Sequence, residues 1–231
     1  MGEAMDFDIL FLGESGSKHL FKKHHDASEG GQLLSSSAPS GYTGSSLGLL
    51  EPAIQGEFLN ATIHIGVSAC LLGENVRYDG QVKDCPVVRD VLARHAVLIP
   101  VCPETGAGMP VPREPVDLFG ELSAPRMIGV ESGRDWTDEI TAWIEATVAR
   151  LVADGLDGFV LKARSPSCGV ESAALYPKLG DSPLRVDGLL AMVLRRDHPE
   201  LPVVEDEDLV DDEALSTFLG RARAYRRQRL G

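Results

Sequence analysis

The sequence predicts an α/β fold, with a mostly parallel, Rossmann-like sheet that carries helices on both faces. Three short apolar runs have the length of strands, at 63–67, 96–101 and 158–162. The second run shows no alternation of polar and apolar residues, which is typical of a strand buried on both faces. Helical patterns separate the runs, and alternating strands and helices favour parallel strands joined by right-handed crossovers.

Residues 1–62 differ from the rest of the chain in composition. They are rich in Gly and Ser, as in 35–41, and they contain no cysteine and only short apolar patches such as 9–12. A composition of this kind buries too little apolar surface to offset the entropy of the chain. We therefore expect a poorly ordered N-terminal extension over 1–62 and one α/β domain over 63–231.

The elements that follow the first strand keep a regular order. Pro86 suits the first turn of a helix, and four apolar residues then mark one face of that helix: Val87, Val88, Val91 and Leu92. The strand 96–101 comes next. We expect an irregular loop over 103–125, because this stretch is rich in Pro and Gly, and a short strand over 126–130.

The strongest helical pattern lies in the second half of the chain. Apolar residues recur there at the i, i+3, i+4 and i+7 positions of one helix face, at Ile140, Trp143, Ile144, Thr147, Val148, Leu151 and Val152. After the strand 158–162 we expect a loop to Asp187, a helix over 188–196 and a short strand over 201–204. A last helix ends in five arginines, which complement the helix dipole and which we interpret as structural.

The overall composition excludes several classes of protein. A net charge of −13 disfavours binding to a nucleic-acid polymer, which needs Lys and Arg to neutralise phosphates. The chain has no apolar run long enough to span a membrane and no basic stretch followed by an apolar core, as a secretion signal would have. We therefore expect a cytoplasmic protein that acts on a small molecule.

Three of the four cysteines follow the three predicted strands, at Cys70, Cys102 and Cys168. The carboxyl ends of parallel strands meet at one edge of a sheet, where ligands bind. Three thiolates at that edge could hold a metal ion or an iron–sulfur cluster with one position left open. Cys85 directly precedes Pro86, at the start of the predicted helix. Its position fits either a core residue or a residue that lines the site.

Several short motifs surround these cysteines in a fixed order. They cover residues 68–73, 76–80, 101–104, 110–113 and 162–169. Taken together they resemble the thiouracil desulfidase family, and the resemblance runs from about residue 63 to about residue 205. It implies a 4Fe–4S cluster held by Cys70, Cys102 and Cys168, with a fourth iron that no protein residue ligates and that binds the sulfur of a thiocarbonyl.

The resemblance also implies functional roles for Glu104 and Ser165, and thiolated uracils such as 4-thiouridine monophosphate as substrates. An open iron is a Lewis acid and sulfur is a soft ligand that suits it, so binding would make the ring carbon electrophilic towards water. Glu104, two residues from a cluster ligand, is then the expected general acid/base. Ser165 would orient the substrate or the water.

Basic residues collect around these motifs although the chain is acidic, and arginine binds phosphate with two parallel hydrogen bonds. The substrate contacts that we predict are Arg77, Tyr78, Arg113, Lys162 and Ser167. Tyr78 or Trp136 could stack on the pyrimidine ring, although residues of these types are more often part of the core.

The predicted function is a non-redox, hydrolytic desulfidase that converts a thiouracil base or nucleotide to uracil or UMP and hydrogen sulfide. The alternative is a sensor or structural module in which Cys85 gives the fourth ligand to a cluster or a zinc ion. A metal-free thiol redox enzyme is disfavoured, because the chain has no closely spaced pair of cysteines.

Overall fold

The computed structural model describes residues 62–231. All but the last residue of the predicted extension over 1–62 lies outside them. The described strands are Ile63–Ser68 (β1), Ala96–Val101 (β2), Val116–Glu121 (β3), Ala124–Gly129 (β4), Gly158–Leu161 (β5), Ala173–Tyr176 (β6), Leu184–Val186 (β7) and Val203–Glu205 (β8). The α-helices are Pro103–Gly106 (α1), Thr137–Ala153 (α2), Leu189–Asp197 (α3) and Asp212–Leu230 (α4).

The first sheet has the strand order β2-β1-β5-β8, and all its strands are parallel. Ile63 pairs with Ala96 and Ile65 pairs with Gly158, so β1 has a partner along both of its sides. The predicted parallel sheet is confirmed. Each predicted strand lies within three residues of its observed bounds.

Apolar clusters cover both faces of this sheet, as predicted. On one face Phe159 and Leu161 pack with Ile140 and Ile144 of α2. On the other, Val160 packs with Phe218 of α4 and with residues of a short helical segment, Val87–Val91 followed by Leu92–Arg94. Successive side chains of β5 therefore point to opposite faces, which is the geometry of a strand buried on both sides.

A second sheet has the order β4-β3-β6-β7. Of its strands the sequence predicted only β4, as the strand over 126–130. Its strands β3 and β6 are parallel, whereas the β3–β4 and β6–β7 pairs are antiparallel. The expectation of irregular loops over 103–125 and up to Asp187 is therefore wrong. These strands are short and follow Pro- or Gly-rich turns, so pairing with distant strands, not local sequence, decides their conformation.

The amino ends of β1 and β5 are tied to α4 by a buried carboxylate. Asp157 is completely buried and accepts hydrogen bonds from Arg226 Nη1 and Arg229 Nη2, each at 3.0 Å. The backbone N–H of His64 donates to the same carboxylate at 2.9 Å. Two of the C-terminal arginines thus have the structural role that the sequence predicts.

No helix within residues 62–231 is both long enough and apolar enough to cross a membrane.

Candidate active site

Three cysteines emerge side by side at the carboxyl edge of the first sheet. Cys70 lies in the 3-10 turn Ala69–Leu72 that follows β1, Cys102 lies between β2 and α1, and Cys168 lies in the loop after β5. Because β1 is the neighbour of both β2 and β5, the three loops lie next to each other. A cavity of about 310 Å³ at this edge is lined by all three residues.

Most of the other predicted site residues line the same cavity. They are Glu104, Ser165, Arg77, Tyr78, Arg113 and Lys162. Ser167 differs from them: it is buried, with 1% of its surface exposed, and it does not contribute to the cavity wall. The structure therefore brings together the cysteines, the carboxylate and the cations that the sequence placed in separate loops.

Cys85 lies away from this cavity. Its backbone N–H donates to the carbonyl of Leu71 at 2.9 Å, and its side chain packs against the apolar cluster on the α4 face of the first sheet. Of the two positions that fit the sequence, the structure shows the core position. The geometry gives no support to a fourth thiolate ligand at Cys85.

Burial and mutual proximity raise the pKa values of the Cys70 and Cys168 thiols. Burial raises the pKa of Cys70 to about 11, and a thiolate at Cys102 adds to this effect while Lys162 and Arg77 oppose it. The pKa of Cys168 is also far above its ordinary value, mainly through burial, although a hydrogen bond with Ser68 opposes the rise. Without a bound metal the Cys70 and Cys168 thiols are protonated at neutral pH, so metal binding to them would release protons.

The three thiols form a donor set that suits an iron–sulfur cluster. Within residues 62–231 no three His, Cys, Asp or Glu side chains are arranged to hold one metal ion. Three soft thiol donors around one cavity, with no fourth cysteine lining it, suit such a cluster.

Glu104 is fixed in the cavity wall by two neighbours. Its Oε1 atom accepts a hydrogen bond from Ser167 Oγ at 2.7 Å. Its Oε2 atom accepts from Arg113 Nε at 2.8 Å and also from Arg113 Nη2. The Arg113 side chain is only 4% exposed and that of Glu104 13%, so the carboxylate is held in one orientation beside the thiols.

Arg113 also joins the loops that follow β1 and β2. Its Nη2 atom donates to the carbonyl of Val76 at 2.9 Å, and its backbone N–H donates to the carbonyl of Tyr78 at 2.8 Å. The guanidinium therefore links the loop that follows Cys70 to Glu104, so the position of the carboxylate depends on the position of that loop. Its contacts make it a positioning residue for the carboxylate.

Ser165 closes the turn that carries Cys168. Its Oγ atom accepts hydrogen bonds from the backbone N–H groups of Ser167 at 3.2 Å and Cys168 at 3.3 Å. Its carbonyl accepts from the N–H of Gly169 at 2.8 Å. The hydroxyl proton of Ser165 has no acceptor among the described residues, so it remains available to a molecule in the cavity.

The amino end of α3 supports this turn from behind. The backbone N–H of Leu189 donates to the carbonyl of Pro166 at 3.1 Å, and that of Leu190 donates to the carbonyl of Ser167 at 2.8 Å. Gly188 packs so closely that a Cβ atom there would lie 2.7 Å from the backbone nitrogen of Cys168. Only glycine leaves room for this contact.

The sequence did not indicate which carboxylates pair with the cations of the cavity wall, nor that Asp117 lines the cavity. Lys162 Nζ lies 2.9 Å from Asp206 Oδ2, at a position that follows β8. Asp117 lines the cavity from β3, within a stretch expected to be a loop. The pairs that hold Glu104 and Lys162 join residues distant in sequence, and no local pattern indicates such pairs.

Comparison with known proteins agrees with this geometry. A family model described as 2-thiouracil desulfurase matches residues 65–206. The uncharacterized protein YbbK of Bacillus subtilis (strain 168) is 31% identical over 108 residues, which cover 45% of this chain and 71% of that protein. A solved structure of the 4Fe-4S-dependent thiouracil desulfidase TudS is 33% identical, has a TM-score of 0.55, and is matched over 68% of this chain and 99% of its own.

Proposed function

The chain belongs to the 2-thiouracil desulfurase family, and from this premise we propose that it is an iron–sulfur-dependent enzyme that removes sulfur from a thiolated pyrimidine by hydrolysis. The reaction exchanges the C=S group for C=O: water supplies the oxygen and its two protons leave with the sulfur as hydrogen sulfide. The observation that carries the proposal is the convergence of three thiols and one oriented carboxylate on a single cavity.

Cys70, Cys102 and Cys168 are the residues that would hold the cluster. When bound, the cluster would supply a Lewis-acidic iron with an open position for the thiocarbonyl sulfur, which makes the ring carbon more electrophilic. The similar structure of TudS, described as 4Fe-4S-dependent, supports this assignment.

Glu104 is the proposed general acid/base. It takes a proton from the water that attacks the ring carbon and returns a proton to the departing sulfur. Arg113 and Ser167 hold both oxygens of its carboxylate, so the proton acceptor is oriented before substrate binds. Such orientation avoids reorganisation during the reaction.

Ser165 and the remaining lining residues are proposed to bind the substrate. The Ser165 hydroxyl, which already accepts two backbone hydrogen bonds, donates its proton to the substrate or to the attacking water. Tyr78 is 43% exposed, with the Arg77 guanidinium 5.7 Å from the centre of its ring, and we propose that this ring stacks on the pyrimidine. Arg77 and Lys162 complete the polar wall.

Anaerobic purification followed by quantitation of iron and of released sulfide tests this proposal. We expect about four irons per chain and sulfide release from 2-thiouracil or 4-thiouracil. About four irons per chain without sulfide release from any thiolated pyrimidine would favour the alternative of a sensor module. One zinc ion per chain in place of iron would contradict the proposed cluster.

Glu104→Gln gives a sharper test of the mechanism. This variant should retain the visible absorbance of the cluster and lose turnover by a factor of about 100 or more, as expected for a general acid/base. Turnover at the wild-type rate would remove Glu104 from the mechanism. Glu121→Gln, a carboxylate on β3 that does not line the cavity, is the matched control.

A further inference from the structure

We propose that Glu205 is a positioning residue for the candidate active site: it closes the loop 164–172, which carries Cys168, and fixes the shape of that loop. This inference rests on the proposed desulfidase function and deepens it. Glu205 is the last residue of β8, paired with the end of β5, and it does not line the cavity. Its effect on the reaction therefore acts through the loop.

One oxygen of the Glu205 carboxylate binds the loop at two points. Glu205 Oε1 accepts a hydrogen bond from the backbone N–H of Val170 at 2.7 Å and another from the hydroxyl of Ser172. Ser172 Oγ in turn accepts from the backbone N–H of Arg164 at 2.8 Å. These three hydrogen bonds, which we call the Glu205–Ser172 bridge, join the two ends of the loop to each other and to β8.

The backbone of the loop is strained at both ends. Arg164 has φ 60° and Glu171 has φ 51°, in the left-handed region that residues other than glycine seldom adopt. Such conformations persist only where the surrounding structure imposes them. The backbone N–H of Arg164 is held by Ser172, and that of Glu171 donates to Asp187 Oδ1 at 2.8 Å. Contacts to distant residues therefore impose the shape of this loop.

The bridge lies directly against the residue that follows Cys168. A Cβ atom at Gly169 would lie 2.6 Å from Ser172 Oγ, so the chain beside Cys168 rests on the Ser172 hydroxyl. The same loop carries Ser167, which donates to Glu104 at 2.7 Å. Loss of the bridge should therefore displace a cluster ligand together with one of the groups that hold the carboxylate.

Glu205 also has a structural role that the experiment must separate from the bridge. It forms a capping box with Asp208 on the 3-10 turn Asp206–Asp208, and its backbone N–H donates to Asp208 Oδ2 at 3.0 Å. Asp208→Ala weakens this cap and leaves the bridge intact, so it is the matched control. Glu205→Gln keeps an oxygen that can accept from Val170 and Ser172, whereas Glu205→Met has a similar length and no such oxygen.

The first test follows amide hydrogen exchange by NMR on the metal-free full chain, so it depends neither on the cluster nor on turnover. In Glu205→Met the amide of Val170 should exchange about tenfold or more faster than in the wild type, because its hydrogen bond is lost. In Glu205→Gln and Asp208→Ala its exchange should stay within a factor of about three. Wild-type exchange at Val170 in Glu205→Met would overturn the proposal.

A second variant covers the case in which Glu205→Met does not fold. Ser172→Ala removes the hydroxyl that joins Glu205 to Arg164, and the amide followed is then that of Arg164, with the same tenfold acceleration expected. Unchanged exchange there would likewise overturn the proposal.

The last test measures kcat for sulfide release from 4-thiouracil per loaded cluster. We expect Glu205→Met to lower kcat by about tenfold or more with little change in KM, and Glu205→Gln to restore most of it, because the loop then regains its position. Wild-type kcat in Glu205→Met, or an equal loss in both variants, would overturn the positioning role. Absence of sulfide release from the wild type would be a failure of the proposed function instead, and the exchange rates would still decide whether Glu205 holds the loop.

Discussion

Ser167 is buried, and its hydroxyl holds the carboxylate of Glu104 in place. Its hydroxyl donates to Glu104 Oε1 at 2.7 Å, opposite the oxygen that Arg113 binds. Ser167→Ala should therefore leave the carboxylate free to turn about its remaining contact. We expect kcat to fall by about tenfold or more, because small errors in position are costly in catalysis, with little change in KM or in iron content.

Steady-state sulfide release checks this expectation, and Ser182→Ala at an exposed loop position is the control. A fall in iron content together with kcat would indicate that Ser167 supports the Cys168 turn and not Glu104. The sequence predicts Ser167 as a substrate contact, but its hydrogen bond to Glu104 from outside the cavity wall leads us to propose a positioning role instead.

The four cysteines should separate into two groups when each is replaced by serine. Cys70, Cys102 and Cys168 line the cavity, so each replacement should remove most of the bound iron. Cys85 packs in an apolar cluster, so Cys85→Ser should retain about four irons. Iron quantitation after anaerobic purification checks both results, and loss of iron in Cys85→Ser would restore the four-thiolate alternative.

Among the secondary-structure elements, α3 acts on the site through its first turn. A Cβ atom at Gly188 would lie 2.7 Å from the nitrogen of Cys168, so Gly188→Ala must push the Cys168 turn out of place. We expect a loss of about 1–3 kcal/mol in the free energy of unfolding, typical of overpacking, and a lower iron content.

Gly220→Ala is the matched control, because a Cβ atom at this exposed position of α4 meets nothing within 4 Å. It should raise the free energy of unfolding by up to about 1 kcal/mol, since alanine is the better helix former. Thermal or urea unfolding measures both variants. Equal stability of Gly188→Ala and the wild type would show that the turn can yield without cost.

The elements of the first sheet could be predicted from sequence because their signals are local. Apolar runs locate the strands, and the apolar stripe of α2 locates that helix, within a few residues. Because the carboxyl ends of parallel strands meet at one edge of a sheet, these positions then place the three cysteines together. The second sheet could not be predicted, because β3 and β6 are defined by their pairing with each other. The same holds for the ion pair of Lys162 with Asp206 and the contact of Ser167 with Glu104.

On the scale of the whole molecule, Asp157 is the main polar contact between the first sheet and α4. Asp157→Asn would remove the charge of a fully buried carboxylate that binds Arg226 and Arg229, whose side chains are 21% and 28% exposed. We expect the free energy of unfolding to fall by about 3 kcal/mol, as for other broken buried pairs. Asp154→Asn, at an exposed position nearby, should change it little. Urea unfolding checks both, and equal stability of the two variants would contradict this role.

The parallel strand order has a consequence for how the protein is made. Cys70 and Cys102 follow the paired strands β1 and β2, which leave the ribosome early, whereas Cys168 follows β5. Asp157, just before β5, binds arginines of the later helix α4. During translation the chain therefore presents two thiols without the third. The cavity that would hold the cluster is therefore complete only after β5 and its loop have been synthesised, so we expect the three thiols to come together late in synthesis.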